Sequence, residues 1–290
     1  MSFVYAEKKR ITINDDTIYT LAIYSDTKIS FDNNASNWSE PTRRALKQYG
    51  LIKTLILNQT CCLSFAGNNI YYVYQLLNTL EDKKDFSEEY LCNQAFSIHK
   101  TAPVNDIEFI VCYVKNNEQH IVCIKNGQMN ECENAWIGSS ETFRTMQGFR
   151  MEKLTDPAYN NGGVTSELFR KALQMTNDET VGKDISIKTL LTSESNCFFY
   201  ADKFESYTER SRIIPAGGDV PLIDDAAEGG FTAVYYESVD EVRIDFTQAD
   251  LTILYTNRYR LDQDDVDNPN TRYFLLPVPI KTSTQQVLKI

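Results

Sequence analysis

Runs of β-branched and aromatic residues open the chain and recur at short intervals. The runs 3–13 and 17–25 flank Asn14-Asp15-Asp16, a turn signal, and this pattern predicts a β-hairpin. The run 53–66 (KTLILNQTCCLSFA) predicts two further short strands around Asn58-Gln59. The start of the chain is therefore expected to form a pair of hairpins.

The spacing of apolar residues becomes helical after Asn68. Five apolar residues then fall on one face of a helix, which predicts an amphipathic helix: Ile70, Val73, Tyr74, Leu77 and Leu80. A second helix is expected over 87–99. This pair of helices separates the first two hairpins from the strands that follow.

Strand and helix patterns alternate from there to about residue 201. Residues 107–114 and 119–127 predict two strands joined at Asn116-Asn117, a hairpin signal. Residues 135–140 predict the end of a strand and the start of a helix, with Ser139 or Ser140 as N-cap. The remaining predicted elements are a helix over 165–177 and strands over 185–191 and 196–201.

This order of elements predicts an α+β fold. Each sheet must bury a face against another layer, and two sheets packed face to face between helix pairs meet that need, as a four-layer αββα sandwich. The sequence changes character after about residue 205. A Pro/Gly/Asp-rich connector (215–230) is followed by strand-like runs between 231 and 256. We therefore expect a core domain over 1–205 and a β-rich C-terminal extension over 206–290, packed on the core.

Composition and charge narrow the class of protein. The 290 residues are 42% hydrophobic and 24% charged, as in ordinary globular proteins. The net charge of −11 argues against binding to nucleic acid, which needs basic patches. The sequence contains no stretch of about 18 apolar residues that could span a membrane, and its first residues do not resemble a signal peptide.

The cysteines indicate a reducing compartment. There are seven, an odd number, at irregular spacings, which is typical of free thiols in the cytoplasm. No C-x-x-C pair is present and only two histidines occur, so the sequence does not predict a zinc site. No metal or organic cofactor is expected.

Several short motifs, taken in order, resemble the core of proteasome β subunits and their bacterial relatives. They are Ser25-Asp26-Thr27-Lys28 at the end of a strand, Lys53 followed fourteen positions later by Gly67, Gly138-Ser139-Ser140 after a hairpin, and Asp178 four positions before Gly182. The resemblance covers roughly residues 2–200. It implies an N-terminal-nucleophile (Ntn) hydrolase fold, a divergent bacterial-type member of that superfamily.

In that family the first residue of the mature chain is the nucleophile and its own α-amine is the base. The predicted hairpin places Asp26 opposite residues 3–5, so the residue just beyond them is Ser2. Removal of Met1 is favoured by the small side chain that follows it. The exposed amine would have a pKa of roughly 7.7–8.0, suited to general-base work on a hydroxyl that is otherwise a weak nucleophile.

The resemblance assigns a role to each of the remaining matched residues. Lys53 would lower the pKa of the amine and stabilise negative charge on the Ser2 oxygen, while Asp26 would hold Lys53 in place as a buried ion pair. The backbone N–H of Gly67 would be the oxyanion donor. Ser139 and Asp178 would orient the terminal amine.

The same residues also have purely structural interpretations. Ser2 can be simply the second residue of the chain, Asp26 and Lys53 an ion pair that only stabilises the fold, Gly67 the end of a strand, and Ser139 a helix cap. The chain departs from the family pattern in using Ser rather than Thr, in a longer stretch between Asp26 and Lys53, and in Val181-Gly182 where Ser-Gly is expected.

We therefore expect a cytoplasmic peptidase or amidohydrolase that acts on a peptide or amide, with two alternatives. One is a non-catalytic Ntn-fold subunit that acts in assembly or binds a partner protein. The other is an Ntn acylase that acts on a small amide. A homo-oligomer is expected, and the apolar tail YFLLPVPI (273–280) is a candidate contact with a neighbouring subunit.

Overall fold

The computed structural model describes residues 2–13, 16–28, 49–58, 60–81, 86–104, 106–155, 163–183, 186–192 and 198–201, together with the strands 231–236, 241–246, 251–256 and 271–275. Its strands are β1 (Phe3–Ile13), β2 (Asp16–Asp26), β3 (Tyr49–Leu51), β4 (Thr54–Asn58), β5 (Cys61–Ala66), β6 (Glu108–Lys115), β7 (Glu118–Lys125), β8 (Gln128–Glu131), β9 (Asn134–Gly138), β10 (Ser186–Thr192), β11 (Phe199–Ala201), β12 (Phe231–Tyr236), β13 (Glu241–Phe246), β14 (Leu251–Thr256) and β15 (Thr271–Leu275). Its helices are α1 (Tyr71–Glu81), α2 (Glu88–Thr101), α3 (Ser140–Lys153) and α4 (Ser166–Met175). The α+β class expected from the sequence is confirmed.

The described strands between residues 3 and 201, apart from β3, form two antiparallel sheets. One, here called the N-terminal sheet, has the strand order β11-β10-β2-β1-β9, and the other, the central sheet, has the order β4-β5-β6-β7-β8. The long β1–β2 hairpin confirms the first predicted hairpin, with pairs that run from Val4 opposite Ser25 to Ile13 opposite Asp16. This register fixes which residues meet at the open end of the hairpin.

Both faces of the N-terminal sheet are buried. Val4, Ala6, Leu21 and Ile23 belong to a cluster that also contains residues of the central sheet and of helices α1 and α2. The alternate residues of the same strands point to the opposite face and pack with α3 and α4 in a second cluster: Phe3, Tyr5, Ala22 and Tyr24. An antiparallel strand pair with apolar residues on both faces needs a cover on each side, and these two clusters provide it.

The aromatic residue at the centre of the second cluster is Phe169 of α4. It is fully buried, and its ring stacks on Phe3 and Tyr24 with centroid separations of 5.3 and 5.4 Å. Thr165 caps the helix by accepting a hydrogen bond from the N–H of Leu168. The capped first turn and the stacked ring fix α4 against the N-terminal sheet.

Two tight turns shape the central sheet. Asn116 and Asn117 have φ of 53° and 64°, and Asn126 and Gly127 have φ of 53° and 71°. Two successive positive φ values are the mark of a type I′ hairpin turn, for which Asn and Gly are the preferred residues. The first turn joins β6 to β7 as predicted. The second was missed, because residues 119–127 were read as one strand, and it adds the short strand β8.

The described C-terminal strands form a third sheet together with β3. Its order is β12-β13-β14-β15-β3, and β15 pairs in parallel with both β14 and β3. The strands expected between 231 and 256 are thus confirmed, and a strand from the first half of the chain completes their sheet. The connector 215–230 and the tail beyond residue 275 lie outside the described residues, and packing of the extension on the core stays a prediction.

None of the helices in the described part of the chain is long and apolar enough to cross a membrane. Six cysteines in the described ranges carry free thiols, and four of them are buried: Cys61, Cys62, Cys92 and Cys112. These side chains serve as small apolar residues of the core.

Candidate functional site

A buried ion pair lies at the open end of the β1–β2 hairpin. The ammonium of Lys53 donates to Oδ1 of Asp26 at 2.7 Å, and the two side chains are 1% and 0% exposed. The backbone N–H of Phe3 donates to the same oxygen at 2.8 Å. Because the two donors share one acceptor atom, the ammonium of Lys53 and the first peptide bond of β1 are neighbours.

The second oxygen of Asp26 is also occupied. Its Oδ2 accepts hydrogen bonds from the backbone N–H of Gly182 at 2.8 Å and of Lys28 at 3.2 Å. A Cβ at Gly182 would lie 3.2 Å from this oxygen and 2.9 Å from Cβ of Lys28. Four donors therefore hold the carboxylate, which satisfies its acceptor sites and fixes its orientation.

Burial sets the protonation behaviour of Lys53. Removal from water lowers its pKa, the carboxylate of Asp26 raises it, and the nearby charge of Lys28 lowers it further, with a net decrease from the usual value.

Ser2 is held by its backbone. It is 8% exposed, and its carbonyl accepts a hydrogen bond of 2.8 Å from the N–H of Ser139. Gly138 has φ of +85°, and a Cβ on it would come within 1.8 Å of this carbonyl oxygen. Only glycine has both the conformation and the space that this approach requires. The turn between β9 and α3 therefore positions the first described residue of the chain.

Ser139 and Asp178 are in direct contact. The Ser139 hydroxyl donates to Oδ2 of Asp178 at 2.6 Å. Burial raises the pKa of Asp178 and hydrogen bonds from Ser139 and Thr180 lower it, with a net decrease from the usual value. Asp178 is thus held as a carboxylate.

Three threonines that the sequence interpretation did not select complete this network. Thr142 donates from its N–H and its hydroxyl to the Ser139 hydroxyl, at 3.2 and 3.0 Å, and its hydroxyl also reaches Thr176. The N–H and the hydroxyl of Thr180 both donate to Oδ1 of Asp178. Thr180, next to Val181, therefore supplies a hydroxyl to the Ser139–Asp178 pair. Its position two residues after Asp178 was the available signal, because Asp and Thr at that spacing commonly form an Asx turn.

Gly67 follows β5 directly, at the edge of a cavity. A Cβ there would meet the carbonyl oxygen of Asp106 at 2.1 Å, so the close approach of this loop requires glycine. The same carbonyl accepts from the N–H groups of Asn68 and Asn69 at 3.0 and 3.1 Å. These contacts fix the peptide segment that contains Gly67 and agree with its structural interpretation as well as with a role in catalysis.

The cavity beside Gly67 has a volume of about 250 Å³. Its lining comes from both sheets and from the start of α3: Ala66, Gly67, Glu108, Lys125, Asn126, Trp136, Gly138 and Ser140. Since Gly138 also contacts the Ser2 carbonyl, the cavity adjoins the N-terminal end of β1. The structure thus brings Ser2, the Asp26–Lys53 pair and the Ser139–Asp178 pair to one end of the N-terminal sheet, with Gly67 on the cavity next to it.

Groups of three or more His, Cys, Asp or Glu side chains arranged to hold a metal ion do not occur among the described residues. The groups gathered at this end of the N-terminal sheet are a hydroxyl, a buried ammonium, a fixed carboxylate and backbone N–H donors. This set suits the attack of a hydroxyl on an amide carbonyl. No family model matches the chain, and no curated protein matches it.

Proposed function

We propose that the chain is a proteasome-like Ntn hydrolase in which Ser2, exposed by removal of Met1, attacks an amide carbonyl. The observation that carries the proposal is the hairpin register. Val4 pairs with Ser25, and the N–H of Phe3 is bonded to Asp26, so Ser2 is the next residue along the strand. The resemblance to proteasome β subunits implies a nucleophile at this position, just beyond the residues opposite Asp26.

The proposed reaction begins with the free α-amine of Ser2. With a pKa of about 7.7–8.0, this amine is able to take the proton of the Ser2 hydroxyl as the oxygen attacks the carbonyl carbon. Lys53 stabilises the charge on the serine oxygen, and the N–H of Gly67 donates to the developing oxyanion. The amine then gives the proton to the leaving nitrogen. In the second step the amine takes a proton from water as the water attacks the acyl-enzyme ester, and returns it to the Ser2 oxygen, which releases the acid.

The proposed architecture is a four-layer αββα sandwich. It is supported by the two clusters on opposite faces of the N-terminal sheet, one shared with α3 and α4 and the other with the central sheet, α1 and α2. The site then lies at one end of the two packed sheets, and the proposed substrate is a peptide or another amide. We also propose that the protein works in the cytoplasm as a homo-oligomer, on the basis of its free thiols and its apolar C-terminal tail.

Each of two alternative functions is favoured by one observation. A non-catalytic Ntn-fold subunit that acts in assembly or binds a partner protein is favoured by Val181, which is buried and brings no hydroxyl to the site. An acylase that acts on a small amide is favoured by the cavity of about 250 Å³, which has room for roughly one amino acid side chain.

The decisive experiment is intact mass spectrometry of the protein from its native host, before and after treatment with a β-lactone probe. We expect the mass of the chain without Met1, followed by addition of one whole probe. The Ser2 oxygen forms an ester with the lactone carbonyl, the ring C–O bond breaks, and the hydroxyl proton ends on the released alkoxide, so nothing is lost.

Two variants test where the probe reacts. Ser2→Ala keeps a small side chain after Met1 and removes the hydroxyl, so it should not be labelled, whereas Ser2→Thr should be. A native protein that retains Met1 contradicts the catalytic proposal and leaves the scaffold alternative. Equal labelling of Ser2→Ala shows that another nucleophile reacts.

A further inference from the structure

The lining of the cavity next to Ser2 includes charged side chains that the proposed reaction does not use. Glu108 is the first residue of β6, directly before the apolar run 109–114, and it is only 7% exposed. Its carboxylate crosses to the N-terminal sheet, where Oε2 accepts from the N–H of Gly138 at 2.8 Å. Lys125 Nζ lies 3.5 Å from the same oxygen. Both contacts fall on Oε2, and Oε1 carries neither of them.

Lys125 only partly compensates this charge. A distance of 3.5 Å is an ion pair without a short hydrogen bond, and the ammonium is buried against the ring of Trp136. Burial lowers the pKa of Lys125, while the charge of Glu108 raises it, with a net decrease. Trp136 is itself stacked on Phe143, with centroids 4.6 Å apart, so the lysine is held between the indole and Glu108. The hydrogen-bond acceptor that this part of the lining offers to a ligand is therefore the carboxylate of Glu108.

We infer that this cavity is a substrate subsite that selects a side chain ending in a carboxamide, as in glutamine or asparagine. The amide N–H₂ donates to Glu108 Oε1, and the amide oxygen accepts from Asn126 or Ser140 at the rim. The identity of the ligand as part of a substrate rests on the function proposed above. Binding to the cavity itself does not depend on the reactivity of Ser2.

The other classes of side chain fit the lining less well. An acidic group would face Glu108, and like charges repel at this range. An aliphatic group would shield the carboxylate from water without donating to it, which leaves a buried acceptor unsatisfied. A basic group would pair with Glu108 but would lie close to the ammonium of Lys125. A neutral group that both donates and accepts hydrogen bonds meets none of these three penalties.

The test uses Trp136 as a reporter in the full-length Trp38→Phe, Ser2→Ala variant. The chain has two tryptophans, so this variant shows one indole N–H signal in an NMR spectrum and cannot turn over a ligand at Ser2. The probes are N-acetyl amino acid amides of glutamine, leucine, glutamate and lysine. We expect the glutamine probe to shift the indole signal in a saturable way, and the other three to bind at least about tenfold more weakly.

Glu108→Gln in the same background keeps the acceptor for Gly138 but replaces the carboxylate by an amide. It should weaken the glutamine probe by about 10–100-fold, as expected for a lost hydrogen bond to a charged group. Glu131→Gln, on the exposed strand β8, is the matched control and should leave the affinity for the glutamine probe unchanged. If Glu108→Gln does not fold, the comparison of the four probes decides alone. An unmoved indole signal, or leucine or lysine binding as tightly as glutamine, overturns the inference.

The two proposals fail separately. If Met1 is retained or Ser2 is not acylated, the catalytic proposal is lost, and the indole titration still reports whether the cavity binds carboxamides. If Ser2 is acylated but no carboxamide binds, the function stands and the subsite assignment is wrong.

Discussion

The N–H of Ser139 donates a hydrogen bond of 2.8 Å to the carbonyl of Ser2, so the start of the chain is attached to the N-cap of α3. The bond continues the β1–β9 ladder, in which Phe3 pairs with Gly138. Residue 2 is therefore positioned by backbone atoms, whatever side chain it carries. This separation allows Ser2 to be substituted with little effect on the position of its main chain.

Gly138→Ala should disturb this attachment. The added Cβ would overlap the Ser2 carbonyl oxygen, and φ of +85° is unfavourable for alanine, by about 1–2 kcal/mol for the left-handed conformation alone. We expect a loss of unfolding free energy greater than that and loss of probe labelling at Ser2, measured by urea denaturation and intact mass.

Gly127→Ala is the matched control for this substitution. Gly127 also has positive φ, +71°, but nothing lies within 4 Å of its added Cβ. The Gly127→Ala variant should lose only the stability that the left-handed conformation costs alanine, and its Ser2 should still be labelled by the probe. Equal losses for the two variants would show that contact with Ser2 contributes nothing.

Lys53→Met should destabilise the protein by on the order of 3–5 kcal/mol, because it leaves the buried carboxylate of Asp26 without its cation. Combining it with Asp26→Asn should cost less than the sum of the two single changes, since the double variant buries no unpaired charge. Chemical denaturation of the four proteins in the cycle measures this. Lys8→Met, which breaks an exposed pair with Glu133, should change stability by no more than about 1 kcal/mol. Additive losses for Lys53 and Asp26 would argue that the pair is not coupled.

Stability should fall in alkaline solution because of buried thiols. Burial raises the pKa of Cys92 from 9.0 to about 12, so above pH 9 the unfolded chain releases a proton that the folded chain retains. The contribution of the protonated Cys92 thiol to the unfolding free energy is fully present below pH 9. It is lost as the pH rises to about 12, at up to about 1.4 kcal/mol per pH unit. Cys92→Ala should reduce the slope of unfolding free energy against pH between these values. An unchanged slope would falsify this assignment.

Truncation near Asn268 should affect more than the tail. It removes β15, which lies between β14 and β3 in the C-terminal sheet, and β3 ends two residues before Lys53. We expect faster proteolysis of the C-terminal strands and, if the tail reaches a neighbouring subunit, a smaller oligomeric mass by light scattering. A truncated chain that stays folded with the same mass would show that the tail is not an assembly element. The tail would then be assigned as a cover for a sheet edge of its own subunit.

Local sequence determined most of the elements around the site. Turn residues and apolar periodicity predicted the β1–β2 and β6–β7 hairpins, the helices α1 and α2, and Ser139 as a helix cap, because each of these depends on residues a few positions apart. The misreading of Asn126 and Gly127 was also local: an Asn-Gly pair is a strong turn signal, and the apolar run before it was extended too far.

Only the tertiary structure decided how separate segments meet. The four donors to Asp26 come from residues 3, 28, 53 and 182, and no periodic pattern connects such distant positions. The cavity depends in the same way on Glu108 crossing from one sheet to the N–H of Gly138 on the other. The one trace of it in the sequence is an acidic residue directly before the apolar run 109–114. Which partner satisfies a buried charge is set by the packing of the sheets, whereas the strands and turns that present it are set by neighbouring residues.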